Sequence, residues 1–257
     1  MKVALAQMRV EGGRPVQNRA RACARIEEAA AQGARLVLLP EALDFGWMHS
    51  SAQTGAGPIP EGETTQCLAE AAARHGVHVA AGCIERAGDQ LFNAAVFLSP
   101  DGTLLAQHRK INELEIAHSL YARGDQVDAV SNTRLGRIGL EICADGFADE
   151  QWISRDLCRL GARIILSPCA WAVEPDFDPA QTPYGQIWRE NLAPVAGECG
   201  VWILACSNVG VIEEGPWQGR KCIGNSMAFN PQGKEVLTGP FGEDADELLF
   251  LELSDSI

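Results

Sequence analysis

The chain has no run of basic residues and no apolar stretch approaching the roughly 20 residues needed to cross a bilayer. Its formal net charge is -13, and its isoelectric point is about 4.8. Nucleic acids and anionic membrane surfaces carry negative charge, so an acidic chain without a basic patch is repelled by both. The composition therefore predicts neither a nucleic-acid partner nor a membrane partner.

Paired cysteine motifs are also missing. The nine cysteines include no C-x-x-C pair and no zinc-site spacing, and their number is odd. This pattern favours reduced thiols in the cytoplasm over a disulfide framework, and it predicts no metal site. The sequence opens with a strand-like segment at residues 2–8 and shows no charged leader followed by an apolar signal segment. We therefore expect a cytoplasmic protein.

No G-x-G-x-x-G motif follows the first strand pattern, which disfavours a dinucleotide-binding sheet. Strand and helix patterns alternate along the chain instead, as is typical of an α/β protein. The predicted strands are 2–8, 34–39, 77–84, 91–98, 103–110, 127–131, 136–142, 163–166, 201–206, the hairpin 223–238 and 248–253. The predicted helices are 15–32, 64–75, 149–160 and 180–199.

The two halves of the chain resemble each other in three places and in the same order. The matching pairs are 33–40 with 161–168, 76–83 with 200–207, and 93–102 with 225–233. Three echoes in one order indicate two equivalent helix-strand-helix-strand-strand units. Two such half-sheets hide their bare faces best by stacking on each other with helices outside. The sequence therefore predicts a four-layer α-β-β-α sandwich that forms one domain over residues 1–257.

A single cysteine ends one of the short apolar runs. Ile138, Leu140 and Ile142 recur at period two, which predicts a strand with Cys143 as its last residue. The following Asp145-Gly146 pair predicts a tight turn. A nucleophile on a sharp turn after a strand resembles the nucleophile elbow, here with a thiol in place of a hydroxyl. We interpret Cys143 as a catalytic nucleophile.

Two other predicted strands run into reactive side chains, Glu41 and Lys110. Ligands bind at the carboxyl ends of strands in open α/β sheets, so we expect both to approach Cys143. A free thiol has a pKa of about 8.5 and needs a base or a nearby cation to react well at neutral pH. Glu41 could accept the thiol proton. Lys110 and the backbone amide of Ala144 could stabilise the oxyanion that forms after attack on a carbonyl.

These residues resemble the motifs of the nitrilase superfamily of carbon-nitrogen hydrolases. The matching segments are 38–41 (LLPE), 108–111 (HRKI), 139–145 (GLEICAD), 167–168 (SP) with 170–171 (AW), 198–201 (ECGV) leading to Asn208, and 224–226 (GNS) with 230–233 (NPQG). The similarity spans nearly the whole chain in the family order. It implies an α-β-β-α sandwich, a Glu41-Lys110-Cys143 triad, a cysteine thioester, no cofactor, and assembly into a homodimer or a larger homo-oligomer.

The chain departs from the family pattern at two places. Many members have a second glutamate after the lysine, and here Glu113, Glu115 and His118 compete for that role. Nitrilases proper usually have Trp-Glu after the cysteine, where this chain has Ala144-Asp145. This difference favours amides or N-carbamoyl compounds over nitriles as substrates. Candidate pocket residues are Trp47, Asp145 and Trp171, although packing explains the two tryptophans equally well.

Three other functions stay open from the sequence. Nitrile hydrolysis and acyl or amide transfer from the thioester both use the same triad. A catalytically silent binding or regulatory homologue would keep the fold without the chemistry, and the intact triad argues against it.

Overall fold

Two six-stranded sheets form the centre of the fold in the computed structural model, which describes residues 1–127 and 129–253 and, for 129–132, only the backbone. The first sheet consists of β1 (Lys2–Gln7), β2 (Leu36–Leu38), β3 (His78–Ala87), β4 (Gln90–Leu98), β5 (Leu104–Arg109) and β15 (Glu247–Glu252). The second consists of β6 (Ala129–Thr133), β7 (Gly136–Leu140), β8 (Ile164–Cys169), β10 (Trp202–Ser207), β13 (Met227–Phe229) and β14 (Glu235–Thr238).

The two sheets have the same strand order and the same strand directions. The orders are β15-β1-β2-β3-β4-β5 and β6-β7-β8-β10-β13-β14. In each sheet the second, third and fourth strands are parallel, and every other neighbouring pair is antiparallel. The three sequence echoes fall on β2 and β8, β3 and β10, and β4 and β13. The predicted division into two equivalent halves is confirmed.

Helices cover the outer face of each sheet. The first sheet packs against α1 (Pro15–Ala31) and α3 (Glu63–His75), and the second against α4 (Trp152–Arg159) and α5 (Gln186–Cys199). A single turn, α2 (Ala52–Gly55), lies in the loop before α3. The inner faces of the sheets share one buried cluster, which includes Leu5, Leu38, Phe97, Leu140, Leu166 and Leu204. The predicted four-layer α-β-β-α sandwich is thus confirmed.

Local sequence explains why these elements form. Helix α1 begins with Pro15, whose fixed φ suits the first helical position, and its buried residues Ala22, Ile26 and Ala29 lie on one face. Glycine at position 33, with φ +85°, ends the helix at the predicted place. Between Lys2 and Gln7, strand β1 is apolar on both sides, because one side faces the helices and the other faces the second sheet.

The boundaries differ from the sequence prediction in the second half. The helix predicted at 149–160 begins at Trp152, since Glu150 and Gln151 have positive φ and interrupt it. The helix predicted at 180–199 begins at Gln186. A small sheet of β9 (Ala172–Val173), β11 (Val209–Val211) and β12 (Lys221–Ile223) was not predicted, because strands of two or three residues show no clear period. Residue 128, inside a predicted strand, lies outside the described residues.

Candidate active site

Cys143 lies on a strained turn, and its predicted position as a strand residue is wrong. Strand β7 ends at Leu140, and Cys143 begins a short 3₁₀ helix, Cys143–Phe147. Its φ of +47° is in the left-handed region, which costs a non-glycine residue about 1–3 kcal/mol. The loss of strand geometry follows from Asp145, whose carboxylate accepts a hydrogen bond from the Ile142 amide at 2.9 Å and turns the chain. The thiol itself is half-buried.

Glu41 lies three residues beyond β2, where the two sheets meet. Its backbone amide donates to the carbonyl of Cys169, the last residue of β8 in the second sheet, at 3.1 Å. Gly82 of β3 allows this approach, because a Cβ atom there would lie 2.5 Å from the Glu41 Cα atom. Glu41 is only 1% exposed. The carboxylate is therefore held in the interior.

Lys110 follows β5 directly and pairs with Glu41. The Lys110 Nζ atom lies 2.7 Å from Glu41 Oε1, and the same oxygen accepts a hydrogen bond from Asn93 Nδ2 at 2.6 Å. The neighbouring Arg109 binds both carboxylate oxygens of Glu85 at 2.7 Å. Side chains alternate along a strand, so Arg109 points away while Lys110 faces the site. Lys110 is thus not part of a solvated basic pair.

Charges in this region affect one another. Burial alone would lower the pKa of Lys110, but the carboxylates of Glu41 and Glu113 and the thiolate charge of Cys143 raise it well above its ordinary value. Asn112, two residues after Lys110, donates a hydrogen bond from Nδ2 at 2.7 Å to the carbonyl of Ala144, which directly follows Cys143. The structure therefore brings together Glu41, Lys110 and Cys143.

Among the candidates for a second glutamate, Glu113 is the one beside Lys110. Its carboxylate oxygen Oε2 lies 4.0 Å from Lys110 Nζ. Neither oxygen of Glu113 has a hydrogen-bond partner within the described part of the chain, and burial raises its pKa to about 7. Glu115 and His118 are exposed, and His118 lines a surface cleft with Arg86.

Asp145 belongs to the short 3₁₀ helix that begins at Cys143. Its side chain is fully buried, and four N–H groups of the protein donate to its two oxygens. Burial opposes ionisation, but the hydrogen bond and the charge of His108, with the backbone hydrogen bonds, lower the pKa of Asp145. Asp145 is a buried carboxylate that organises the turn.

The two candidate pocket tryptophans lie in different environments. Trp171 is 1% exposed and stacks on Trp188 of α5, with ring centroids 4.3 Å apart, so it belongs to the core. Trp47 packs against Trp217 with centroids 4.7 Å apart and borders a cavity of about 20 Å³ beside Asn208. The cavity has space for one water-sized molecule.

Sequence reasoning missed Asn93, His108 and Tyr121. Asn93 stands at the start of a repeated segment, and that echo was the available signal. His108 lies on β5 and precedes Lys110 by two residues, so the two side chains point to the same side. Tyr121 is buried, and its hydroxyl accepts a hydrogen bond from the Met48 amide at 3.0 Å. Nothing in the local sequence distinguishes it.

No helix in residues 1–127 and 129–253 is long and apolar enough to span a membrane. No group of three or more His, Cys, Asp or Glu side chains in the same ranges is placed to hold a metal ion.

Comparison with known sequences identifies several relatives. A nitrilase from Pyrococcus abyssi is 34% identical over 241 residues, which cover 93% of this chain and 84% of that protein. The chloroplastic omega-amidase of Arabidopsis thaliana is 33% identical over 231 residues, which cover 85% of this chain and 56% of that protein. Human omega-amidase NIT2 is 32% identical over 181 residues, which cover 66% of this chain and 63% of that protein. The chain thus spans less than two thirds of these two omega-amidases.

Solved structures share the fold. Nit3 of Saccharomyces cerevisiae superposes with a TM-score of 0.83 at 23% identity, over 99% of this chain and 90% of that one. An amidase from Nesterenkonia sp. superposes with a TM-score of 0.82 at 22% identity, with the same coverage. The sequence model described as carbon-nitrogen hydrolase matches residues 2–256. The chain therefore belongs to the carbon-nitrogen hydrolase family, within the nitrilase superfamily that its motifs resemble.

Proposed function

We propose that this protein hydrolyses a non-peptide C–N bond in a small amide or N-carbamoyl compound through a thioester on Cys143. The observation that carries the proposal is the buried ion pair between Lys110 and Glu41, 2.7 Å apart, beside a thiol on a strained turn. Burying two charges is costly, and such pairs are concentrated at functional sites. The pair supplies a base and an electrophile next to the nucleophile.

The first half of the reaction forms the thioester. Glu41 accepts the thiol proton, and the Cys143 sulfur attacks the substrate carbonyl carbon. The carbonyl oxygen becomes an oxyanion that accepts hydrogen bonds from Lys110 Nζ and the Ala144 amide. As the oxyanion collapses, the C–N bond breaks, and the departing nitrogen takes the proton from Glu41. Ammonia or an amine leaves, and the acyl group stays on sulfur.

The second half hydrolyses the thioester. Glu41, again a carboxylate, accepts a proton from water as the water oxygen attacks the thioester carbonyl. Collapse of the second oxyanion breaks the C–S bond, and the proton on Glu41 returns to the Cys143 thiolate. The acid leaves and the free thiol is restored. Residues of the chain handle each proton and charge, so the proposed mechanism uses no cofactor.

Names of similar proteins support an amide substrate. Two of the relatives described above are omega-amidases. A variant of the Nesterenkonia amidase carries the acetamide moiety of fluoroacetamide on its active-site cysteine. Ala144-Asp145 after Cys143, in place of the Trp-Glu that is usual in nitrilases proper, also favours amides. Nitrile hydrolysis is the second candidate, because the Pyrococcus relative is named a nitrilase.

The test is intact-protein mass spectrometry after incubation with a panel of small amides, N-carbamoyl amino acids and nitriles, with ammonia release measured in parallel. The wild type should form a covalent adduct, and the mass of the adduct identifies the acyl group. Cys143→Ala should gain none and should release ammonia at least about 10⁴-fold more slowly. Glu41→Gln should slow the reaction strongly at both steps.

The matched control is Cys206→Ala, which removes a fully buried thiol from β10 and should keep full activity. Hydrolysis that persists in Cys143→Ala would refute the thioester. If the wild type hydrolysed nitriles and no amide or N-carbamoyl compound, nitrile hydrolysis would replace the proposed function. The absence of any adduct and any ammonia release would favour a silent binding homologue.

A further inference from the structure

The carboxylate of Asp145 accepts four hydrogen bonds in the interior of the protein. Its Oδ1 atom accepts from the backbone amides of Ile111 at 3.1 Å and Asn112 at 2.7 Å. Its Oδ2 atom accepts from the Ile142 amide at 2.9 Å and from His108 Nε2 at 2.8 Å. Four donors compensate for the loss of water around a buried charge.

These hydrogen bonds connect two catalytic segments that lie far apart in the sequence. Residues 111 and 112 directly follow Lys110, while Ile142 directly precedes Cys143. A further hydrogen bond, from Asn112 Nδ2 to the Ala144 carbonyl at 2.7 Å, joins the same two segments. The position of Lys110 relative to Cys143 therefore depends on the Asp145 carboxylate.

His108 supplies the one side-chain donor among the four described partners of Asp145. Its side chain is fully buried, and its other ring nitrogen, Nδ1, has no hydrogen-bond partner within the described residues. Since the Asp145 carboxylate is ionised, His108 Nε2 carries the proton and donates it. His108 also lies on β5, the strand that ends at Arg109, one residue before Lys110. A rigid strand thus holds the donor that orients the carboxylate.

We propose that His108 is a positioning residue, which sets the distance between Lys110 and Cys143 through its hydrogen bond to Asp145. The proposal rests on the function proposed above, since it concerns the same reaction. His108 acts through Asp145 and does not contact the reacting atoms. The reaction would therefore require His108 in addition to Glu41, Lys110 and Cys143.

Removal of the His108 donor should affect the transition state more than substrate binding. The buried carboxylate would keep three donors and would turn or take up a proton to compensate for the fourth. Either response loosens the amides of residues 111 and 112 and shifts Lys110. Lys110 is needed most when the oxyanion forms, so kcat should fall while KM changes little.

The experiment compares His108→Phe with His108→Gln, using the best substrate of the amide panel. Phenylalanine fills the ring volume without a donor, whereas glutamine can place an N–H group near the position of Nε2. His108→Phe should lower kcat on the order of 100-fold, as expected for a small misplacement of a catalytic group, with little change in KM. His108→Gln should recover most of that loss.

A second measurement follows the Cys143 thiol without any substrate. The pH dependence of its alkylation by iodoacetamide reports on the surroundings of the thiol, because a nearby ammonium group favours the reactive thiolate. His108→Phe should move this profile to higher pH, and His108→Gln should restore it. Counting reactive thiols in the same assay gives the fraction of folded protein, so simple loss of folding is separated from mispositioning.

The matched control is His78→Phe. His78 is a second buried histidine of the same sheet, and its ring stacks on Phe97 with centroids 5.5 Å apart. This variant should keep the wild-type kcat and alkylation profile.

Equal kcat losses in His108→Phe and His108→Gln, or a wild-type kcat and alkylation profile in His108→Phe, would overturn the proposal. If the wild type turned over no substrate, the proposed function would fail, while the alkylation profile would still decide the role of His108.

Discussion

A buried carboxyl group next to the nucleophile turn should make the stability of the protein pH-dependent. Glu141 lies one residue beyond β7 and is fully buried. Its Oε2 atom accepts a hydrogen bond from Ser154 Oγ of α4 at 2.5 Å, while Oε1 has no partner in the described ranges. Burial raises the pKa of Glu141 from 4.5 to about 8. Glu141 is therefore protonated in the folded protein at neutral pH.

The sign of the effect follows from proton linkage. Above pH 4.5 the unfolded chain releases the Glu141 proton, while the folded protein retains it up to about pH 8. The free energy of unfolding therefore falls as pH rises through this window, by about 3 kcal/mol between pH 5.5 and pH 8.5. Glu141→Gln has no proton to release and keeps an oxygen for Ser154. This variant should lack that part of the decline.

The assay is urea unfolding of the wild type and Glu141→Gln at pH 5.5 and pH 8.5. Other buried carboxyls with a raised pKa, such as Asp44 and Glu113, titrate in both proteins and cancel in the difference. The free energy of unfolding of the variant minus that of the wild type should be about 3 kcal/mol larger at pH 8.5 than at pH 5.5. The exposed Glu27→Gln should show no such gain. An equal difference at both pH values would refute the reasoning.

Two further variants test the placement of Glu41 and Lys110, the groups that we propose to be catalytic. Gly82→Ala forces a Cβ atom to 2.5 Å from the Glu41 Cα atom, so it should cost about 1–3 kcal/mol in urea unfolding and should lower kcat by displacing Glu41. Glu113, whose burial raises its pKa to about 7, should give a kcat that increases with pH as its carboxylate ionises and orients Lys110. Glu113→Gln should remove this increase and lower kcat on the order of 100-fold.

Each of these variants has a control. Gly88→Ala lies in a turn where no atom comes within 4 Å of an added Cβ, so it should cost only about 1 kcal/mol and leave kcat unchanged. Comparable effects of both glycine variants on kcat would contradict the close-contact argument. Glu115→Gln, at an exposed position of the same loop, should retain the wild-type pH profile. If kcat of Glu113→Gln still increased near pH 7, the increase would arise from the ionisation of another group.

The sequence by itself determined the fold class and the repeat, and it predicted Glu41, Lys110 and Cys143 as the catalytic residues. The central strands β1, β2, β8 and β10 are buried on both faces, so they appear in the sequence as apolar runs bounded by turn residues. The two halves repeat the same strand and helix pattern at matching positions, and accordingly the two sheets have the same strand order. Glu41, Lys110 and Cys143 could be predicted because each follows a strand directly or within three residues. These signals are local, so they can be read from a linear chain.

Only the tertiary structure decided which residues surround the three. The sequence leaves both Glu113 and Glu115 as candidates, but the fold buries Glu113 beside Lys110 and exposes Glu115. Asp145 looks like a surface turn residue, yet donors from residues 108, 111 and 112 make it a buried charge. The physical reason is that a buried polar group is defined by partners far along the chain, and no local pattern records which partners it will meet.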